Sequence, residues 1–411
     1  MFPYPMIKEC AHGTQLRCIT PNQGGIIHRF FDTSPISPSG RYMALCRLPY
    51  EDRNAIAGDV AQIVLCDLET GEERVVYHTH GWESQVGANV QWGVTDETLV
   101  FNDVIPGQWT PFMVVLNPFT GCYRCMGNGV FMLSPDGTKA LTHNLNNSRI
   151  TQYGYGVTVP DAYLQYNVAC SSEDGFYQTD LVTGETHLFL SLKQLLTAVY
   201  DSKSLSEFGY GAFYGFQCKW NQQQTRILMV VRCYYPDTGK RKAMIFTANT
   251  DGSNIKLALP WQAWSKSGHH VNWHPDGEHL TMNLRLDEPV LRFVQFRYDG
   301  EEFHALSNKL IGSGHPSIHQ NGRFMITDTY TSEHHFFRDG TVPIRLIDLQ
   351  TEKETELARI YTKCDLHGDL RIDPHPAWSR DYSRIVFNGF TGNTRRVYML
   401  DHWENAICNL T

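Results

Sequence analysis

The fold is decided by the stretch Gly268–Met282, which reads GHHVNWHPDGEHLTM. It predicts a short β-strand that ends at Trp273, a tight turn at Pro275–Gly277 and a second β-strand, because Pro-Asp-Gly is typical of turns between strands. His270 stands three residues before the tryptophan. The same arrangement recurs along the chain, so the stretch indicates one unit of a repeat.

Seven such units can be aligned on the hydrophobic residue that closes the first strand of each. The seven anchor residues are Ile36, Trp92, Leu133, Trp220, Trp273, Ile318 and Trp378. Each anchor is followed by a turn, a strand rich in apolar residues and an outer hairpin. Four strands in each of seven units predict an all-β, seven-bladed β-propeller that occupies residues 1–411 as a single domain. We expect Thr14–Thr20 to complete the last blade beside Val397–Leu400.

The spacing between Leu133 and Trp220 is nearly twice the usual one. The additional residues include a segment rich in Tyr and Gly, 144–160, and a predicted short helix near 191–199. Insertions in propellers lie on loops at one face, so this insertion is expected to form a wall of a binding site. Residues 331–336 are expected to form another exposed loop.

Composition and charge narrow the possible partners and compartments. A formal net charge of -8, without a long Lys/Arg-rich run, argues against nucleic acid or an anionic membrane as the partner. The chain lacks an apolar stretch of about 18 residues and begins without the features of a secretory signal, so we expect a cytoplasmic protein, or an exported one whose signal is absent here. The 11 cysteines are scattered and odd in number, which predicts free thiols.

The residue three positions before each anchor is expected to face the central channel, because the innermost strands run side by side around the axis. These residues are Thr33, Asn89, Val130, Gln217, His270, His315 and His375. The three histidines come from consecutive blades and predict a structural site for a divalent metal such as calcium, zinc or manganese, with Asp373 or water as a further ligand. Alternatively, they hydrogen-bond to the backbone or to channel water.

Two other groups of residues are candidates for chemistry. His28 and Arg29 lie on the innermost strand of blade 1, and we expect them towards the opposite end of the channel from the histidines. A histidine can act as acid or base near neutral pH, and an arginine can bind a carboxylate. The insertion supplies Arg149 with Tyr153, Tyr155 and Tyr163, which suit an acidic sugar by charge pairing and ring stacking. The alternatives are a His28 satisfied by backbone groups and a loop of packed tyrosines.

Three segments resemble those of seven-bladed propeller enzymes that cleave uronic-acid glycans, namely Gly13–Thr20, Ile27–Phe31 and Asp373–Asp381. This group includes oligogalacturonate lyases, ulvan lyases, rhamnose-glucuronate lyases and propeller α-L-rhamnosidases. The resemblance implies an acidic oligosaccharide or polysaccharide as substrate, and it implies His270, His315 and His375 as metal ligands. A second histidine that the resemblance implies two residues before His375 is Asp373 in this chain.

The resemblance also bears on the reaction. The catalytic histidine and tyrosine of the lyases align with Asn89 and the region 130–131, so both groups are missing, whereas the rhamnosidases use a histidine at the place of His28. The resemblance therefore implies an exo-acting α-L-rhamnosidase that cleaves a rhamnose-α-1,4-glucuronic acid linkage, with His28 catalytic and Arg29 orienting the substrate carboxylate. A polysaccharide lyase is the first alternative, and a non-catalytic glycan-binding propeller is the second. The lyase would use Asn89, Arg149 and Tyr155.

Overall fold

The computed structural model describes residues 6–7, 10–11, 13–152, 154–167, 169–330, 333, 337, 339–362 and 370–410. They form seven antiparallel sheets, six of four strands and one of five. The predicted seven-bladed β-propeller is thereby confirmed. Within these ranges, every helix is too short or too polar to cross a membrane.

Each blade runs from an inner strand, next to the channel, to an outer strand. The strands of blades 1 and 2 are Ile26–Ile27, Tyr42–Arg47, Ala61–Asp67, Glu73–Thr79, and then Gln91–Trp92, Leu99–Val104, Pro111–Leu116, Tyr123–Met126. Those of blades 3 and 4 are Met132–Leu133, Lys139–His143, Gly175–Asp180, Thr186–Ser191, and then Ala212–Trp220, Arg226–Tyr235, Lys240–Asn249, Lys256–Leu259. Those of blades 5 and 6 are Gly268–Trp273, His279–Arg285, Leu291–Arg297, His304–Ala305, and then Ser317–Ile318, Phe324–Thr327, Thr341–Asp348, Lys353–Tyr361.

Blade 7 is closed by the N-terminal part of the chain, as the sequence predicts. Its strands are Ala377–Trp378, Arg384–Thr391, Thr394–Asp401, Gln15–Cys18 and Met6–Ile7. Gln15 pairs with Asp401 and Cys18 with Tyr398, so the two ends of the chain share one sheet. This pairing closes the ring without a covalent bond and leaves fewer open sheet edges.

Short helices lie between the strands. They are Ser148–Thr151, Leu192–Val199, Ser202–Ser206 and Trp261–Trp264, with 3-10 helices at Asp161–Tyr163 and Trp403–Leu410. The predicted helix near 191–199 is confirmed, and it begins at a capping box in which Ser191 and Gln194 bond to each other's backbone. Its leucines are buried in the core of blades 3 and 4, so this part of the insertion braces the sheets.

The anchor tryptophans join neighbouring blades. The indole Nε1 of Trp273 in blade 5 donates to the backbone oxygen of Lys219 in blade 4 at 3.0 Å. Two other anchors, Trp92 and Trp378, donate in the same way to the preceding blade. Trp220 differs, because its buried Nε1 has no partner among the described residues. The repeated aromatic therefore has a structural role, which is to fasten one blade to the next.

The inner strands are distorted where they approach the channel. The backbone of Asn89, His270 and His375 has positive φ, at 61°, 61° and 51°. Residues other than glycine rarely adopt this conformation, which is found mainly where the surrounding structure holds it in place. In blade 5 the pairing register also shifts between His269 and Asn272. These distortions interrupt the regular alternation of side chains and place the histidines next to one another.

Blade 1 closes the channel with two aromatic rings. Its inner strand ends at Ile27, and the buried residues Phe30 and Phe31 follow outside the sheet. The Phe30 ring lies 4.7 Å from that of His375, and the Phe31 ring lies 5.8 Å from that of His270. A cavity of about 410 Å³ on the other side of Phe31 is therefore separated from the histidines.

Candidate functional site

A cavity of about 890 Å³ lies at one end of the channel. The insertion contributes Gln152 and Tyr155 to its wall, whereas its role as a wall of a binding site stays a prediction. Five basic side chains line it, namely Arg232, Lys240, Arg241, Lys242 and Arg371. Among the described lining residues, Glu207 is the one acid. A basic cavity in a chain of net charge -8 favours an anionic ligand, and its volume suits a small molecule.

Three candidate metal ligands lie side by side behind this cavity. His315, Asp373 and His375 offer ligand atoms that all lie within 4.8 Å of one another. All three side chains are buried, and neither ring nitrogen of His375 has a hydrogen-bond partner among the described residues. Buried polar atoms normally have partners. A bound cation would supply one, and two imidazoles with a carboxylate form a common ligand set for zinc or manganese.

A buried carboxylate orients one of these histidines. The two oxygens of Asp328 lie 2.9 and 3.0 Å from Nδ1 of His315. The Nδ1 atom therefore carries the hydrogen, and Nε2 keeps the lone pair that a metal ligand needs. Burial alone would raise the pKa of Asp328, but His315 and its backbone N–H hold that pKa below its usual value. The carboxylate is thus ionised and fixes the histidine tautomer.

His270 is stacked on His315 but has different partners. The ring centroids are 3.7 Å apart. Nδ1 of His270 donates to the backbone oxygen of Gly314 at 2.7 Å, which leaves Nε2 to accept from the hydroxyl of Tyr330 at 3.2 Å. The atoms that lie close enough to share a metal ion thus come from His315, His375 and Asp373. The sequence predicts a group of three histidine nitrogens that includes His270, with Asp373 or water as a further ligand. The ligand roles of His270, His315 and His375 stay predictions.

The second histidine of the opening stretch lies on the cavity wall. Nε2 of His269 is 3.0 Å from Oε1 of Glu333, and Nδ1 is 3.1 Å from the amide nitrogen of Asn283. Both His269 and Glu333 side chains are about one-fifth exposed. Because the amide donates to Nδ1, Nε2 carries the hydrogen and donates to the carboxylate. His269, on the cavity wall, and Glu333 behind it therefore form an ordered pair.

His28 lies beside the histidine group, so the expectation that it stands towards the other end of the channel is wrong. Its ring centroid is 6.4 Å from that of His375. The side chain is completely buried, with Nε2 3.4 Å from the backbone oxygen of Pro374. Burial lowers the pKa of His28 to about 4. The chain folds over this residue because Ile27 and Phe30, on either side, both pack into the core.

Arg29 and Asn89 belong to a buried network and not to the cavity wall. Nη1 of Arg29 pairs with Asp32 at 2.5 Å, and Nη2 donates to the backbone oxygen of Phe131 at 2.6 Å. Its Nε donates to Asn89, whose own amide donates to Val130 at 2.7 Å. Lys219 adds a second cation to Asp32 at 2.8 Å. The roles in substrate binding predicted for Arg29 and Asn89 stay predictions, but their polar groups bond within the protein.

The residues predicted on the insertion take two different positions. Tyr155 lines the cavity, with its ring 5.4 Å from that of Phe216 and the Arg371 guanidinium 5.6 Å above it. Arg149 pairs with Asp161 and donates to the backbone oxygen of Val159, away from the residues that line the cavity. Tyr153 lies outside the described residues. The structure thus brings Tyr155, and not Arg149, to the site.

Sequence reasoning missed the basic side of the cavity. Arg232 and the run Lys240-Arg241-Lys242 come from one hairpin of blade 4. The run of three basic residues in an acidic chain is a local pattern that could have drawn attention to this hairpin. Tyr330 and Asp328 carry no such pattern, because only the fold brings this segment of blade 6 against His315 of the same blade and His270 of blade 5.

No protein-family model matches the chain, and no curated protein matches it either. Two oligogalacturonate lyase structures superpose along almost the whole length. One, solved in complex with manganese, has a TM-score of 0.68 and 15% identity, with 99% of this chain and 98% of that chain covered. The other, from Vibrio parahaemolyticus, has a TM-score of 0.66 and 14% identity at the same coverage.

A more distant likeness shows how widely the architecture is shared. The β-propeller domain of a trilobed protease from Pyrococcus furiosus has a TM-score of 0.53 and 11% identity, and 91% of this chain and 96% of that domain are covered. At such identities these likenesses show the propeller fold alone, since one fold carries many activities. The chain is a seven-bladed β-propeller, and its chemistry must be argued from its own site.

Proposed function

We propose that this protein cleaves an acidic oligosaccharide by β-elimination, as a polysaccharide lyase. The observation that carries the proposal is the position of His270 and Tyr330, which line a basic cavity directly in front of His315. A uronic-acid chain offers the negative charge that such a cavity favours. The two lyases that share this fold along almost the whole chain are named for oligogalacturonate, which supports the same class of substrate.

His315, Asp373 and His375 are the residues that would hold a divalent metal. Their fit rests on the unpartnered nitrogens of His375 and on the lone pair that Asp328 secures on Nε2 of His315. One of the similar lyases was solved with manganese. A bound metal would act as a Lewis acid that neutralises the uronate carboxylate. Arg371 donates to Asp373 at 2.9 Å and joins this group to the cavity wall.

Elimination removes the proton on C5 of the uronate, forms a double bond between C4 and C5, and releases the oxygen on C4, which takes up a proton. We assign the proton transfers to Tyr330 and His270. The Tyr330 hydroxyl lies 3.2 Å from the unprotonated Nε2 of His270 and 3.5 Å from Nε2 of His315. A hydroxyl held against an imidazole lone pair can pass its proton to that nitrogen, so the pair can accept a proton and return one.

The α-L-rhamnosidase reading stays a prediction with less support. It requires His28 to reach the substrate, either directly or through water, yet this side chain is completely buried. Of the three residues assigned to the lyase alternative, Tyr155 lines the cavity, whereas Asn89 and Arg149 bond within the protein. The lyase alternative is therefore the reaction that we propose, with Tyr330 and His270 as the reacting residues.

The test is to incubate the protein with trigalacturonate, with a rhamnose-capped glucuronide and with ulvan oligosaccharides, each with and without manganese. Appearance of the ultraviolet absorbance of an unsaturated uronate supports elimination, whereas free rhamnose without that absorbance would overturn it in favour of hydrolysis. Tyr330→Phe is expected to lower kcat/KM by roughly 100-fold or more. Tyr382→Phe, which removes a hydroxyl near the opposite cavity, is the matched control and is expected to retain full activity.

A further inference from the structure

One arginine in the cavity is buried without a counter-charge. Arg232 lies on the second strand of blade 4 and is 9% exposed. Its guanidinium carbon stands 3.4 Å from the centre of the Phe216 ring, and its Nε has no hydrogen-bond partner among the described residues. A buried cation without a carboxylate partner is uncommon, because desolvation of the charge is costly.

A second arginine stands beside it. Arg241 is diagonally opposite Arg232 in the strand register, in which Arg232 pairs with Ala243 and Tyr234 with Arg241, so both side chains lie on one face of the sheet. Arg241 is more exposed than Arg232. The cavity therefore has one arginine deep in its wall and another nearer its mouth.

The two guanidinium groups share the same neutral acceptors. Nη1 of Arg232 lies 3.4 Å from the backbone oxygen of Thr151 and 3.2 Å from Oε1 of Gln152. Nη1 of Arg241 lies 2.5 and 2.8 Å from these same oxygens. Within the part of the chain that the structure describes, neither arginine forms an ion pair. Burial, with the repulsion of Arg241, lowers the pKa of Arg232, which indicates the strain that an anion between them would relieve.

We propose that Arg232 and Arg241 bind a second anionic group of the sugar chain, at a distance from the residue that reacts at His270 and Tyr330. The group is an oxyanion on a neighbouring sugar, either a uronate carboxylate or a sulfate ester. Guanidinium groups bind both through paired hydrogen bonds, and charge-assisted hydrogen bonds are about twice as strong as neutral ones. This inference rests on the proposed function, and it makes the preferred substrate an oligosaccharide with at least two negative charges.

The test measures binding by calorimetry on the full chain that carries Tyr330→Phe, so that the probe is not consumed. The probes are trigalacturonate, a disaccharide of glucuronate and sulfated rhamnose, and neutral galactotriose. Arg241→Met is then added to this protein. If a charged probe uses the site, its Kd is expected to rise by about 10-fold or more, which corresponds to a loss of about 1.4 kcal/mol of binding free energy. The charged probe whose binding is weakened identifies carboxylate or sulfate as the ligand. Neutral galactotriose is expected to bind equally well with and without Arg241→Met.

Two further variants keep the result interpretable. Arg232→Met is expected to weaken the same probe, and it covers the case in which Arg241→Met does not fold. Arg285→Met removes an exposed arginine of blade 5 outside the cavity and is expected to leave the Kd unchanged. An unchanged Kd in either cavity variant, when folding is intact by circular dichroism, overturns the proposal.

The outcomes separate this inference from the proposed function. If the wild-type protein forms unsaturated uronate but neither arginine variant alters the Kd or KM of a charged probe, the second anion site is wrong and the lyase stands. If no substrate yields unsaturated product and the arginine variants still weaken binding of a charged sugar, the lyase is wrong and the anion site stands.

Discussion

The two ends of the central channel contain cationic side chains that have opposite kinds of partner. At the end that contains Asp32, this carboxylate pairs with both Arg29 and Lys219, and all three side chains are at most 2% exposed. At the other end, Arg232 and Arg241 share only the neutral oxygens of residues 151 and 152. Cations that are neutralised within the protein stabilise the fold, whereas cations that lack a carboxylate partner are available for a ligand.

Removal of the carboxylate of Asp32 is expected to have the largest effect. Asp32→Asn leaves Arg29 and Lys219 buried without their counter-charge, so it is expected to lower the free energy of unfolding by about 3–5 kcal/mol. The measurement is the midpoint of guanidinium-induced unfolding. Arg232→Met is the matched variant at the other end of the channel. It is expected to change the free energy of unfolding by less than about 1 kcal/mol, because no carboxylate loses a partner. Equal losses in the two variants would abolish the contrast between the ends.

A carboxyl near the axis is expected to make stability depend on pH. Burial raises the pKa of Glu83 to about 8, although the N–H of Gly156 and the charge of Arg29 partly offset this. Between the ordinary pKa of 4.5 and about 8, the unfolded chain has released this proton while the folded protein keeps it, so stability falls as pH rises. Glu83→Gln is expected to remove roughly 4 kcal/mol of that fall between pH 5 and 9. If the free energies of unfolding of the wild type and Glu83→Gln changed in parallel from pH 5 to 9, this prediction would be wrong.

Metal affinity is expected to depend on the carboxylate behind His315. Asp328→Asn retains the shape of the side chain but no longer holds the hydrogen on Nδ1 of His315, so metal affinity is expected to fall about 10- to 100-fold. Calorimetric titration with manganese or zinc measures the metal affinity in the absence of substrate. Asp348→Asn is a control in the same blade, because the buried Asp348 pairs with Arg323 and is not one of the grouped ligand residues. If Asp328→Asn bound metal as the wild type does, His315 would not be a ligand.

The smallest expected effect concerns the fastening of the blades. Trp273→Phe removes the indole hydrogen bond to Lys219, whereas Trp220→Phe removes an indole N–H that has no partner among the described residues. Both changes delete similar buried surface. Trp273→Phe is therefore expected to lose about 1 kcal/mol more stability than Trp220→Phe, as measured by chemical denaturation. A larger loss for Trp220→Phe would refute this role of the anchors.

The amino-acid sequence was enough to predict the fold, the closure at Thr14–Thr20 and the helix near 191–199. Each depends on local patterns, namely turns after an anchor residue, strands rich in apolar residues and the periodicity of a helix, and these patterns determine local structure wherever they occur. The histidine column also came from the repeat, because equivalent positions of neighbouring blades must lie near one another. The stretch Gly268–Met282 thus specified both the blade and one side of the candidate site.

Only the tertiary structure decided what each polar residue bonds to. His28 was expected away from the other histidines but is buried beside His375, because the chain of blade 1 leaves its sheet after Ile27. Asp328 and Tyr330 reach the site from the segment that follows the second strand of blade 6, and no local sequence pattern indicates this position. The hydrogen-bond partners of these side chains, and their removal from water, depend on contacts between segments that are distant in the sequence. Their charge, their tautomer and their access to a ligand are therefore set only when the blades pack together.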